Sequence, residues 1–182
     1  MNPSGSSAVP HEDLKALFEN WLAAHGAAVL KIARTYAFSK EDIQELAQEI
    51  LFQSWVSLPQ FEGRATASTW FYRIAINTAL TWSRNDRHRK TRQKPLFQID
   101  ELSGPDQDIV RSFAQKETVE RLYQAIHQLP KADAALVLLY LDNLTYRQIA
   151  DVLGIMENNV GVKLNRAKRA LGQMMEGESH DT

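Results

Sequence analysis

Asn158, Asn159, Val162, Lys163, Arg166 and Arg169 fall on one side of a helix expected from about Glu157 to Met175, opposite an apolar stripe of Val160, Leu164, Ala167 and Leu171. The polar side carries the groups that read duplex DNA. An asparagine amide pairs bidentately with adenine and an arginine with guanine, while lysine or arginine holds phosphate. What precedes this helix positions it. Thr145-Tyr-Arg-Gln148 has the form of a capping box and opens a short helix from Tyr146 to Leu153, and Gly154 then permits a tight turn. Ile149, Ala150, Leu153, Gly154, Ile155 and Val160 supply the apolar, small and turn positions of a helix-turn-helix.

A second face lies earlier in the chain. On a helix from about Thr69 to Arg84, the residues Trp70, Arg73, Asn77, Thr81 and Arg84 share a sector of about 80 degrees. Aromatic rings interleaved with cations and amides suit single-stranded bases, because every base has a π-face and every nucleotide a phosphate. The plainer reading makes Trp70 half-buried core with Arg73 beside it. The run Arg84, Arg87, Arg89, Lys90, Arg92 and Lys94 that follows favours nucleic acid. A third face is acidic. A helix from Glu41 to Trp55, with Ser39 as its N-cap, turns Ile43, Leu46, Ala47, Ile50 and Leu51 inward and Glu41, Asp42, Glu45, Gln48, Glu49 and Gln53 outward. Glu41 and Asp42 complement the helix dipole. Glu45 and Glu49 have no such explanation, so the face is either a solvated surface or a dock for a basic partner.

The elements that must carry these faces are all helical. Alternating strand-type patterns are absent, helical periodicity runs from Leu14 to Arg84 and again from Glu117 to Met175, and it is lost between about Asn85 and Lys116, where Pro95 and Gly104-Pro105 intervene. The fold expected is all-α, with two small helical domains joined by a flexible linker over 85–116, a disordered start over 1–10 and a tail over 176–182. In 182 residues, 21 Lys and Arg against 22 Asp and Glu hide a local excess, for residues 83–100 carry six basic groups and two acidic ones. There is no cysteine, which excludes disulfides, thiol catalysis and cysteine-held metal. His11, His25, His88, His127 and His180 are dispersed with no metal-ligand spacing, and no nucleophile elbow or phosphate-binding glycine loop occurs. No catalytic residue, metal site or cofactor is therefore expected. The apolar runs are far shorter than the roughly 20 residues a membrane span needs, and Met1 to Pro10 lacks the basic and apolar segments of a signal peptide. The expected location is cytoplasmic.

Two motif sets in register carry a resemblance. Asp42-Ile-Gln-Glu-Leu-Ala-Gln-Glu-Ile-Leu-Phe-Gln-Ser-Trp55, Phe61-Glu-Gly63 and Ser68-Thr-Trp-Phe-Tyr-Arg-Ile-Ala-Ile-Asn77 resemble region 2 of the extracytoplasmic-function (ECF) group of bacterial RNA polymerase sigma factors, in the sigma-70 family. Leu129-Pro130, Leu144 to Ile155 and Val160 to Leu171 resemble its region 4. The likeness extends from about residue 11 to 175 and implies region 2 over 11–84 and region 4 over 117–175. It implies that Asp42, Glu45, Gln48 and Glu49 dock on the β′ clamp helices of core RNA polymerase, and that region 4 meets the β flap. It implies that Phe61, Arg64, Trp70, Arg73, Asn77 and Arg84 hold the melted minus-ten element of promoter DNA. Arg147, Asn158, Asn159, Val162, Lys163, Arg166 and Arg169 would then contact the minus-thirty-five element, and an anti-sigma factor is an expected partner. Two positions depart from the family pattern. Met156 stands where a serine-type N-cap is usual, and Gly161 costs roughly 1 kcal/mol of helix propensity.

Two other classes compete with this reading. A self-sufficient helix-turn-helix regulator would bind a palindromic operator without polymerase, leaving the acidic face and the Trp70/Arg73/Asn77 face without a task. An all-α enzyme lacks any supporting constellation.

Overall fold

The computed structural model describes residues 11–85 and 109–177, and every described element is helical. The expected disordered start, the central part of the linker, the basic run from Arg87 to Lys94 and residues 178–182 of the tail lie outside the described residues. The first domain is built from α1 (His11–Tyr36), α2 (Lys40–Ser57) and α3 (Ala67–Asn85), with a single 3₁₀ turn at Leu58–Gln60. Ser39 opens α2 as expected, its Oγ accepting from the Asp42 amide at 3.0 Å. Leu46, Ala47 and Ile50 of α2 are buried in one core with Val29, Ile32 and Tyr36 of α1 and Phe71, Ala75, Ile76 and Ala79 of α3, helices that both pack on α2. Each large apolar side chain so enclosed contributes roughly 1.5–3 kcal/mol. The one buried hydroxyl on α2, Ser54 Oγ, donates to the Ile50 carbonyl at 2.7 Å, so its burial leaves no polar group unpaired.

The second domain comprises α4 (Ile109–Gln128), α5 (Lys131–Leu141), α6 (Tyr146–Leu153) and α7 (Glu157–Gly177). Helix α4 starts at Ile109, eight residues earlier than the periodicity predicts, so the end of the expected linker is helical. Ile109, Val110 and Phe113 in its first turns put apolar residues at i and i+4, a helical signal that the breakers Gly104-Pro105 just before it obscured. Helix α5 is apolar all round, and Ala134 to Leu139 are all buried because α1, α4, α6 and α7 each pack against it. The capping box forms with both its bonds, Thr145 N to Gln148 Oε1 at 2.8 Å and Gln148 N to Thr145 Oγ1 at 3.3 Å. Gly154 takes the left-handed conformation, φ 66°, that the turn requires.

The two domains lie against each other. Helix α1 packs on α4 and α5, and α3 packs on α6, so their buried residues form one continuous core. Sequence periodicity assigns an inner face to a helix but not the neighbour it meets, and the pairing of the domains was not predictable from it.

Candidate nucleic-acid interface

Helix α7 presents the expected recognition face. Val160, Leu164, Ala167 and Leu171 are buried, while Asn158, Asn159, Val162, Lys163, Arg166 and Arg169 are all exposed. Val162 is 62% exposed, an apolar group left in the middle of a polar surface, where contact with a thymine methyl is the chemistry available to it. Arg147 is exposed on α6, beside the N-terminus of the motif. Met156 does occupy the N-cap position: α7 begins at Glu157, and the Met156 carbonyl accepts from the Asn159 amide at 2.9 Å. Asn158 therefore lies inside the helix with its side chain free of capping duty. Lys168 points away from this face and sits over the Tyr140 ring at 3.7 Å, a cation–π contact that ties α7 to α5.

On α3 the candidate face divides into two environments. Arg73, Asn77, Thr81 and Arg84 are exposed, and Arg84 folds back on its own helix to donate to the Leu80 carbonyl and Thr81 Oγ1, both at 3.2 Å. Trp70 and Phe61 are half-buried. Their rings pack with Trp21 of α1 in a three-membered aromatic cluster, with centroids 5.2–5.4 Å apart. Trp70 is thus half-buried against Trp21 and Phe61, with part of its surface exposed. Trp21 was not singled out from sequence, because the contact spans helices distant in the chain. The loop between Phe61 and Thr66 exposes Arg64, which pairs with Glu62 at 2.6 Å, and Gly63 adopts φ 71° there.

The acidic face of α2 stands as drawn, with one addition. Asp42, Glu45, Gln48 and Glu49 are half-exposed, and Gln53 Nε2 donates to Glu49 Oε1 at 2.9 Å. Among them Phe52 and Val56 are 56% and 49% exposed. The helical projection that gathers Glu45 and Glu49 places these two on the same side, so the signal was present in the sequence and overlooked. The surface is a carboxylate rim around two apolar side chains. A cleft between α2 and α3, lined by Glu49, Gln53, Asn77, Thr78, Thr81 and Trp82, joins it to the exposed side of α3 that carries Asn77 and Thr81.

A polar cluster at the seam between the domains was not foreseen. Asp142, at the end of α5, accepts from Tyr72 Oη of α3 at 2.5 Å and forms an ion pair with Lys31 of α1. Burial, reinforced by the hydrogen bond and negative charge of Asp142, raises the Tyr72 phenol well above its ordinary range, so it stays a donor. His25 stacks on Phe71 beside this cluster, and its pKa is lowered by burial, which outweighs the opposing pull of Asp142. Arg73 Nη2 donates to the Asp151 carbonyl on α6 at 2.5 Å. Among the described residues, no group of three acidic or histidine side chains is placed to hold a metal ion. No described helix is long and apolar enough to cross a membrane.

A helix-turn-helix carried on an exposed basic helix, joined to a three-helix unit with an acidic face and an aromatic, cationic face, defines a promoter-recognition protein, and the chain belongs to the sigma-70 family, in its ECF group. Sigma-70 region 2 matches residues 21–89 and sigma-70 region 4 matches residues 119–171. The chain is 25% identical over 173 residues to the RNA polymerase sigma-H factor of Pseudomonas aeruginosa, covering 89% of this chain and 88% of that one. It is 28% identical over 151 residues to the ECF RNA polymerase sigma factor SigW of Bacillus subtilis, covering 74% and 75%. Its fold is that of CnrH in complex with the cytosolic domain of CnrY, with TM-score 0.65 and 18% identity over 92% of this chain and 91% of that one. The sigma factor RpoE bound to the anti-sigma factor NepR from Bartonella quintana gives TM-score 0.64 and 15% identity over 91% and 98%.

Proposed function

We propose that this protein binds core RNA polymerase and directs it to promoters by recognising minus-ten and minus-thirty-five elements and aiding strand opening, without catalysis of its own. The observation that carries this reading is the order and completeness of the two matched regions on one chain, region 2 with its acidic dock and region 4 with its exposed recognition helix. Asp42, Glu45, Gln48 and Glu49, with Phe52 and Val56 among them, meet the basic β′ clamp helices, while the β flap receives region 4. Phe61, Arg64, Trp70, Arg73, Asn77 and Arg84 hold the single-stranded minus-ten element, where rings and cations suit unpaired bases. The α7 face enters the major groove at the minus-thirty-five element, and Arg147 supports it from α6. The working place is the cytoplasm, on the nucleoid through polymerase. An anti-sigma factor is the expected inhibitor, consistent with the relatives of this fold that are complexed with NepR or with the cytosolic domain of CnrY.

The test is co-elution with bacterial core polymerase on a sizing column, with a Glu45→Lys/Glu49→Lys variant alongside. Stoichiometric binding by the parent and at least a tenfold loss in the variant, with unchanged helical circular dichroism, is the expected result. Equal binding by both would remove the acidic face from the interface. Absence of binding by either would return the self-sufficient regulator to first place.

A further inference from the structure

Gly161 stands at a border of α7. At roughly 100 degrees per residue it falls about 60 degrees from exposed Asn158 and about 60 degrees from buried Leu164, between the reading face and the core stripe. Across that border lies Tyr146, the first residue of α6, whose Cε2 is 3.4 Å from the point where a Cβ on residue 161 would stand. An alanine there would touch the ring at an ordinary distance, and a longer side chain would compete with the ring for its space. A glycine, unfavourable inside a helix, thus seats an aromatic side chain.

The seated ring is not core. Tyr146 is 41% exposed, and its hydroxyl has no hydrogen-bond partner among the described residues. The capping box of Thr145 and Gln148 fixes the backbone just before it, so the side chain leaves α6 from a defined point. The cations of α7 do not serve this border. Lys163 and Arg166 lie toward the opposite edge of the reading face, and Lys168, on the same flank as Gly161, is engaged with the Tyr140 ring at 3.7 Å. A contact with DNA on this flank therefore falls to the start of α6, where Tyr146 and Arg147 are both exposed. In a helix-turn-helix the first helix crosses the DNA backbone, and a tyrosine hydroxyl is among the donors that hold phosphate. We propose that Tyr146 is a further DNA-contacting residue of region 4, its hydroxyl donating to a backbone phosphate of the minus-thirty-five element, and that Gly161 is its positioning residue. This rests on the reading that α7 enters the major groove there. The contact is neutral. A cation on phosphate releases counterions and steepens the salt dependence, whereas a hydroxyl adds affinity and leaves that slope unchanged.

The test uses holoenzyme reconstituted with core polymerase, titrated on a duplex that the parent selects from a pool randomised at minus thirty-five. Tyr146→Phe keeps the ring and removes only the hydroxyl. It should weaken binding about fivefold, evenly across duplexes mutated base by base and with the salt slope of the parent. Gly161→Leu, or Gly161→Met where leucine disturbs the fold, should give a similar loss by displacing the ring. The double variant should lose no more than either single one, because a residue that acts only through Tyr146 has nothing further to remove. Gly161→Ala should bind as the parent does. Circular dichroism checks that each variant keeps its helices. Parent-level binding by Tyr146→Phe, or a loss confined to one base pair, would overturn the phosphate contact. Losses that multiply in the double variant would overturn the role of Gly161. Arg166→Ala tests the underlying reading: a loss there beside parent-level Tyr146→Phe sinks this proposal alone, whereas parent-level binding by both sinks the reading with it.

Discussion

Arg166 shows what can be expected of one residue. It is exposed at the middle of the α7 face, two turns into the helix and flanked by Val162, Lys163 and Arg169. If it reads a base, Arg166→Ala weakens minus-thirty-five binding by roughly 1–3 kcal/mol and relaxes preference at one position, whereas a phosphate contact lowers affinity evenly across sequences. Titrating the holoenzyme on promoters mutated base by base separates the two. The exposed face of α7 was legible because its signal is local, following directly from the 3.6-residue period that buries Val160 and Leu164. Trp70 and Arg73 were only half legible. Their surroundings are set by Trp21 and Asp151, which lie 49 and 78 positions away in the chain and which no period connects to them.

At the scale of the element, caps and turns followed from sequence. Ser39, the Thr145/Gln148 box and Gly154 each act through neighbours within a few residues, and each appears where the residue types demanded. Helix α4 extends further back than the periodicity from Glu117 indicates because the Ile109/Phe113 pair stands just after Gly104-Pro105, where breakers outweigh one apolar i,i+4 pair. Gly161 is the element's weak point. A Cβ placed there meets only Tyr146 Cε2, at 3.4 Å, an ordinary contact distance. Gly161→Ala therefore gains most of the helix propensity difference, about 0.5–1 kcal/mol of added stability, visible as a raised Tm in a thermal melt. A lowered Tm would show that the Tyr146 ring has no room to yield.

For the molecule as a whole, the seam decides the pH response. His25, on α1, faces Phe71 and Tyr72 of α3, with Asp142 of α5 supplying negative charge and Lys31 positive. Its folded pKa lies below the unfolded value of about 6.5, so the unfolded chain binds a proton more readily. Its stabilising effect is present above that value and is lost as pH falls through the folded pKa. Denaturant melts should show stability falling as pH drops below about 6.5, and His25→Gln should flatten that part of the profile. An unchanged slope would assign the acid sensitivity to other groups. None of this was readable from the sequence, where His25 was one of five dispersed histidines.

Asp142 stands three residues before Thr145, the cap that starts the DNA-reading motif. The same short turn therefore ends α5, whose cap residue meets Tyr72 and Lys31, and begins the helix that positions α7. The α7 face stays exposed while the two domains lie together, so a contact through it does not by itself require them to part.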